Sequence, residues 1–102
     1  MVTYIITQGD LGDLVRVKLS DGGAMDSNYE CNVAVQGTAI AREVTDKSGD
    51  NTEFLVQLLA AETVLLRPGS YTMGIKITNT TLTPPFSREE HIRLDIQERI
   101  VV

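Results

Sequence analysis

The stretch from Phe54 to Thr78 constrains the fold more than any other part of the chain, because it contains two segments in which apolar and polar residues alternate. In the first segment, Phe54, Val56 and Leu58 occupy every second position. The second segment repeats the pattern from Tyr71 to Thr78. A period of two is typical of a β-strand that turns one face to a core and the other to water. This stretch therefore predicts a protein built from sheets.

The rest of the chain contains further segments of the same kind, separated by turn residues such as Gly, Asp, Asn and Pro. Seven short strands at a spacing of roughly ten residues are typical of an immunoglobulin-like sandwich. We therefore predict an all-β fold, an immunoglobulin-like antiparallel β-sandwich of about seven strands with one short helix. The chain lacks Trp and a cysteine pair, which argues against true immunoglobulin superfamily membership but not against this architecture. The predicted strands cover Val2–Thr7, Leu14–Leu19, Asn28–Gln36, Thr38–Thr45, the segment that begins at Phe54, Tyr71–Thr78 and Glu89–Gln97.

The predicted helix lies between the two strands of the opening stretch. Leu59–Leu66 shows no alternation and is rich in helix formers, and the turn Arg67–Ser70 follows it. Leu59, Val64 and Leu65 are available on one side of this segment. We expect it to close one end of the sandwich, and a partner-binding helix is the alternative.

Length and charge limit the classes of protein that are possible. The 102 residues suffice for a single domain, 1–102, with a modest core. A net charge of −5 repels phosphate backbones, so we expect no nucleic-acid partner. No apolar run reaches the roughly 20 residues that span a bilayer, and the first ten residues lack a signal-peptide pattern, so we expect neither membrane insertion nor export. Cys31, the single cysteine, is predicted to be a buried apolar side chain in a protein made in a reducing cytosol.

No set of residues predicts catalysis. Nucleophilic catalysis needs a nucleophile, a base and an orienting group, and the chain has one histidine, His91, beside Glu89 and Glu90. Alternation places His91 on the outward face of the last strand, where a solvated side chain is expected. We therefore predict that the protein is not an enzyme and uses no cofactor or small-molecule substrate.

One polar segment superficially resembles a calcium loop. Asp46, Ser48, Asp50 and Thr52 offer oxygen atoms at alternating positions. The glycine at Gly49 comes two places too early for that geometry, and no bidentate Glu closes the loop. We predict a turn whose side chains bond their own backbone, and no metal site.

The order of elements resembles that of a known group of proteins. A Gly-Asp pair, an alternating strand, an Asp-Gly turn and the pattern L-x-x-x-E-T-x-x-L-x-P-G-S-Y follow one another along nearly the whole chain. The residues that carry the likeness are Gly9, Asp10, Leu14–Leu19, Asp21, Gly22, Leu58, Glu62, Thr63, Leu66, Pro68, Gly69, Ser70 and Tyr71. The chain is similar in this respect to small immunoglobulin-like domains of tailed bacteriophages, including the N-terminal domains of baseplate upper proteins and short stand-alone virion proteins. The loop Asn79–Ser87 is longer than the short hairpin of many such relatives.

The resemblance implies a virion structural protein, a tail, baseplate or head accessory component, made in the host bacterial cytoplasm. Such a protein acts by docking onto other virion proteins and onto copies of itself. Two segments are candidates for the contact: the rigid, apolar loop from Leu82 to Phe86 and the apolar tail that continues the last strand. Either segment could instead fold back on its own domain, and exposed edge strands are further candidates. The predicted contact residues are Leu82, Pro84, Pro85, Phe86, Ile100, Val101 and Val102.

The alternative function is a carbohydrate- or ligand-binding sandwich module at a host-recognition surface. Sugar sites usually stack the ring on an exposed aromatic side chain. Most of the aromatic residues fall on predicted core faces, which argues against this alternative. They are Tyr4, Tyr29, Phe54, Tyr71 and Phe86.

Overall fold

The structure is a computed structural model that describes residues 2–19 and 23–99. The tail residues Ile100, Val101 and Val102, which the sequence suggests as a contact, lie outside the described residues. The described part of the chain contains seven strands and one short helix, so the all-β prediction is confirmed. The elements are β1 (Thr3–Thr7), β2 (Val15–Lys18), β3 (Glu30–Val35), β4 (Ala41–Val44), β5 (Glu53–Val56), α1 (Ala60–Thr63), β6 (Gly69–Asn79) and β7 (Phe86–Gln97).

The strands form two sheets, an arrangement compatible with a sandwich. One sheet has five strands in the order β1-β7-β6-β3-β4, and the other consists of β2 and β5. All pairs are antiparallel except β1 and β7, which run parallel. This pair departs from the antiparallel expectation. The two strands lie at opposite ends of the chain, so no hairpin turn fixes their relative direction.

The core is built from the alternating residues of both sheets. In β7, Ile92, Leu94 and Ile96 are buried as predicted, and the residues between them face outward. Cys31 is fully buried, as its position in β3 predicts, and burial raises the pKa of its thiol to about 11. The other buried apolar residues are Ile6, Val17, Leu19, Met25, Val33, Val35, Ile40, Val44, Phe54, Val56, Leu58, Leu66, Met73, Ile75 and Ile77.

Strands β6 and β7 form a long hairpin, and its loop is shorter than the sequence predicts. The two strands have 11 and 12 residues, which corresponds to a length of about 40 Å. Pairing continues to Asn79 opposite Phe86, so the loop covers 80–85 and not Asn79–Ser87. Strand β7 begins directly after Pro85, because proline offers no donor to a sheet ladder.

The helical segment packs against the core, but with other residues than predicted. Helix α1 is only four residues long, and Thr63 and Leu66 are the side chains of this segment that are buried. Leu59, Val64 and Leu65 are exposed. The prediction that these three leucine and valine side chains form the plug is therefore wrong. The reason is that α1 is too short to present one continuous apolar stripe to the core.

The start of β6 is tied to the turn that precedes it. The hydroxyl of Tyr71 donates a hydrogen bond of 2.8 Å to the carbonyl oxygen of Arg67, four residues upstream. The ring of Tyr71 packs against the core. This contact fixes the corner through which the chain passes from α1 into the five-stranded sheet.

Candidate interaction surfaces

The histidine and the turn aspartate are each paired with a neighbouring side chain, and the cysteine is buried. His91 Nε2 lies 3.2 Å from Glu89 Oε1 on the outward face of β7, as the sequence predicts for a surface histidine. In the predicted turn, Asp50 Oδ1 accepts hydrogen bonds of 2.7 Å from both Ser48 Oγ and Thr52 Oγ1. These bonds, that from Ser48 above all, lower the pKa of Asp50 to about 2. Within 2–19 and 23–99, no group of three or more His, Cys, Asp or Glu residues is placed to hold a metal ion.

The exposed apolar side chains, in contrast, are concentrated in one region. Eight large apolar residues are exposed in the described residues, and five of them belong to the loop after β1 or to the segment around α1. Leu65 is the most exposed, at 73%. We call these five residues the apolar end; they are Leu11, Leu14, Leu59, Val64 and Leu65.

Hydrogen bonds hold the two segments of the apolar end side by side. The hydroxyl of Thr63, which is fully buried, donates to the carbonyl of Asp10 over 2.6 Å. The amide of Gly12 donates to the carbonyl of Leu58 over 2.8 Å, and Gln57 Nε2 donates to the Gly12 carbonyl over 2.8 Å. Gly12 cannot be replaced freely, since a Cβ there would lie 3.2 Å from the Leu58 carbonyl oxygen. The exposed apolar side chains therefore project from a fixed frame.

An ion pair anchors α1 to the five-stranded sheet. Arg42 of β4 donates through Nε to Glu62 Oε2 over 2.9 Å and through a terminal nitrogen to Glu62 Oε1 over 3.0 Å. The same guanidinium donates to the carbonyl of Gln57 over 2.7 Å. Glu62 Oε1 also accepts a hydrogen bond of 2.8 Å from the Leu59 amide, an otherwise unpaired donor at the start of the helix. Burial tends to raise the pKa of Glu62, but the Arg42 and Leu59 hydrogen bonds and the Arg42 charge outweigh it and lower the pKa below 4.5.

A hollow lies beside this ion pair. It has a volume of about 420 Å³, and Leu14 and Leu59 of the apolar end form part of its wall. Arg42, Asp46 and Lys47 supply charged groups to the same wall. Such a mixture of apolar side chains with a few charges is suited to receive a side chain of a protein partner.

A second exposed apolar region lies at the edge of the five-stranded sheet. Strand β1 pairs with β7 on one side only, and no other described strand lies on its outer side. Val2 and Ile5 are 58% and 61% exposed. The stretch from Val2 to Gln8 contains no charged residue or proline, the residues with which proteins usually protect such an edge.

The residues of the predicted contact loop lie in two different elements, the 80–85 loop and the start of β7. Leu82, Pro84 and Pro85 are exposed in the 80–85 loop, at the tip of the β6–β7 hairpin. Phe86 is the first residue of β7, where its ring meets that of Tyr29 edge-to-face at 5.9 Å between centroids. The prediction that Phe86 lies in the loop is therefore wrong, because its ring packs against the core of its own domain.

The aromatic side chains pack against the core, as the sequence predicts for most of them, and Phe86 does so against the prediction. Phe54 is buried, and the other four are partly buried and pack against the core. No aromatic ring is thus left as an exposed platform for a sugar. The other four are Tyr4, Tyr29, Tyr71 and Phe86.

Comparison with known proteins adds no relative to these observations. No family model, no curated protein and no solved structure matches the chain. Among the described residues, no helix has the length and apolar character that crossing a membrane requires.

Sequence reasoning missed the apolar end and treated the β1 edge only as one of several edges. Leu11 and Leu14 stand in or beside a polar loop and gave no periodic signal. The run Val2–Thr7 did carry a usable signal, since it lacks the charged residues and prolines that usually protect an edge strand.

Proposed function

We propose that this chain is a virion structural protein of a tailed bacteriophage, a tail, baseplate or head accessory component that docks onto other virion proteins. The apolar end carries this proposal. Its five exposed apolar side chains stand on segments that are already fixed by hydrogen bonds, so docking costs little conformational entropy. Full burial of a leucine side chain contributes about 1.5–3 kcal/mol, and a few such residues suffice as the centre of an interface.

The arrangement of strands supports an immunoglobulin-like domain of the kind that the sequence resembles. In such domains the strands G, F, C and C′ lie side by side and B pairs with E. The order β7-β6-β3-β4 and the pair β2–β5 correspond to that scheme. A tyrosine near the start of strand F that bonds a carbonyl a few residues upstream is a hallmark of the fold, and Tyr71 makes this bond to Arg67.

The side-chain chemistry supports docking over catalysis or sugar binding. Cys31 is buried with a raised pKa, and the His91 ring lies beside Glu89 on an open surface. The aromatic rings pack against the domain's own core. The exposed surface includes a group of apolar side chains and a strand edge, which are means by which structural proteins bind each other.

The test is incorporation into particles of the phage whose genome encodes this chain. Particles would be purified on a density gradient and analysed by mass spectrometry, with the native gene replaced by a variant carrying Leu59→Glu and Leu65→Glu. We expect the wild-type protein to be present in particles and the variant, though folded by circular dichroism, to be depleted at least about tenfold, since two leucines at the centre of an interface contribute more than 1.4 kcal/mol.

The matched control is Lys76→Glu, an exposed change on the outward face of β6 away from the apolar end. It is expected to be incorporated like the wild type. Particles that contain no wild-type protein would refute the virion role. Normal incorporation of the double variant together with loss on Leu82→Glu would retain the role but move the contact to the hairpin tip.

A further inference from the structure

The outer edge of β1 has hydrogen-bonding groups that point away from the protein. The Val2 carbonyl accepts a bond of 2.9 Å from the Arg93 amide, and the Gln8 amide donates one of 2.9 Å to the Gln97 carbonyl. Even-numbered residues of β1 therefore turn their amide and carbonyl groups to β7. Since these directions alternate along a strand, Thr3, Ile5 and Thr7 point theirs outward, but the Thr7 carbonyl is already used, because it accepts a bond of 3.0 Å from the Asp10 amide of the following turn.

From this edge we propose that two copies of the chain associate through their β1 strands, antiparallel and centred on Ile5. A two-fold axis at Ile5 sets Thr3 opposite Thr7 of the second copy and Tyr4 opposite Ile6. The residues with outward-pointing groups then face one another. The Ile5 pair exchanges two backbone hydrogen bonds, and the Thr7 amide of each copy donates one to the Thr3 carbonyl of the other, about four in total. The two five-stranded sheets become one continuous sheet.

The sequence of β1 is self-complementary in this register. Thr opposite Thr, an aromatic ring opposite a β-branched residue and Ile5 opposite itself are favourable cross-strand pairs, each worth about 0.2–1 kcal/mol. Both partners of every pair also lie on the same face of the sheet. Thr3, Ile5 and Thr7 lie on the outer face, and Tyr4 and Ile6 face the core.

The distribution of charge favours a second copy over a charged partner at this edge. A two-fold axis brings each charge near the same charge of the other copy, so a symmetric contact tolerates few of them. The chain carries −5 overall, yet Val2–Gln8 carries none. The nearest charges on the neighbouring strand neutralise each other, since Arg93 Nε donates to Asp95 Oδ1 over 3.0 Å.

A second copy of the chain is one specific partner within the docking role proposed above, and this inference rests in part on that role. The contact involves short strands, and stable specific interfaces bury about 1,200–2,000 Å² in total, so a weak, concentration-dependent dimer is expected. In a virion such a contact would act beside others that hold each copy in place.

The experiment is sedimentation velocity on the full-length protein over a concentration series from about 5 to about 500 µM, which covers weak association. Wild type is expected to shift from monomer to dimer. Ile5→Pro is expected to weaken the dimer at least about tenfold, because it removes an outward donor while the β1–β7 bonds, which use the neighbouring residues, remain. Ile5→Lys is expected to do the same by placing two cations opposite each other.

Asn32→Lys is the matched control, since Asn32 is exposed on the outward face of β3 and lies outside both β1 and the apolar end. It should dimerise like the wild type. Unchanged circular dichroism and urea midpoints would show that each variant is folded. Hydrogen exchange gives a second measurement: the amides of Ile5 and Thr7 should become protected only at high concentration, and those of Tyr4 and Ile6 at every concentration.

A protein that remains monomeric at the highest concentration would overturn the pairing. So would a dimer that survives Ile5→Lys and is lost on Leu65→Lys, or one that leaves the Ile5 and Thr7 amides unprotected. Particle incorporation tests the docking role separately, because the variants at Leu59 and Leu65 leave β1 unchanged. A monomer that still enters particles through the apolar end would remove only the self-pairing.

Discussion

The ion pair between Arg42 and Glu62 allows a quantitative test of how the apolar end is held. Replacing Glu62 by Ala removes both hydrogen bonds from the guanidinium and the acceptor for the Leu59 amide. The side chain of Glu62 is 16% exposed and that of Arg42 33%, so solvent screens the pair less than a surface ion pair. Arg42 keeps its bond to the Gln57 carbonyl, which limits the loss.

The magnitude follows from the bonds that are lost. A hydrogen bond to a charged group contributes about 1.5–3 kcal/mol net, and the loss of an N-terminal cap costs about 1 kcal/mol. Because the bonds share one carboxylate and Arg42 is partly solvated, we expect Glu62→Ala to lower the free energy of unfolding by about 2–3 kcal/mol. For a domain of this length, that lowers Tm by roughly 10–20 °C.

The effect should depend on pH in a defined direction. The pKa of Glu62 is lowered in the folded protein, so its contribution to stability is complete above the unfolded value of about 4.5 and is lost as the pH falls through the folded pKa. The difference in stability between wild type and Glu62→Gln should therefore be largest at neutral pH. It should shrink steadily below about pH 4.5.

The assay is urea unfolding of wild type, Glu62→Ala, Arg42→Ala and the double variant, with Glu43→Gln as a control on the exposed side of the same strand. We expect a coupling energy of about 1–2 kcal/mol between Arg42 and Glu62. A coupling below about 0.5 kcal/mol, or an equal loss from Glu43→Gln, would refute the argument, because the pair would then contribute no more than an exposed one.

Two further predictions concern the core and the frame of the apolar end. The pKa of Cys31 is raised to about 11 and its side chain is buried. A thiol reagent at pH 8 should therefore label the native protein about a thousandfold more slowly than the unfolded chain. Rapid labelling of the native protein would contradict this. Gly12→Ala should cost about 1–3 kcal/mol in urea unfolding, because the new Cβ meets Leu58 at 3.2 Å. Gly49→Ala, where nothing lies within 4 Å, should be nearly neutral, and equal losses at the two glycines would show that the close approach at Gly12 carries no cost.

Alternation predicted most of the strands and the direction of their side chains. Ile92, Leu94 and Ile96 are buried because a period of two is a local property that any sheet must respect. Cys31 and His91 lie where the same rule places them. The ends of elements were less predictable: β6 extends to Asn79, since pairing with β7 continues as far as both strands offer partners.

The candidate surfaces were less predictable than the fold. By residue type the segment around α1 looks like part of a core. Only the position of α1 against the sheet exposes its side chains Leu59, Val64 and Leu65. Phe86 follows two prolines in the sequence, a context that predicts an exposed contact. Only its edge-to-face contact with the Tyr29 ring shows that it packs inward. Whether an apolar side chain is buried depends on which distant segment covers it, and the local pattern of residues does not reveal that segment.

The sequence by itself determined that the chain is all-β with a packed core and a buried thiol, because composition and periodicity act locally. Only the tertiary structure decided that β1 runs parallel to β7 and that no other strand of residues 2–19 and 23–99 pairs with its outer edge. It also brought the loop after β1 against α1, through the bond from Thr63 to Asp10, and so gathered five exposed apolar side chains at one end. These are contacts between residues far apart in the chain, whose pairing depends on how the whole chain packs and not on any local pattern.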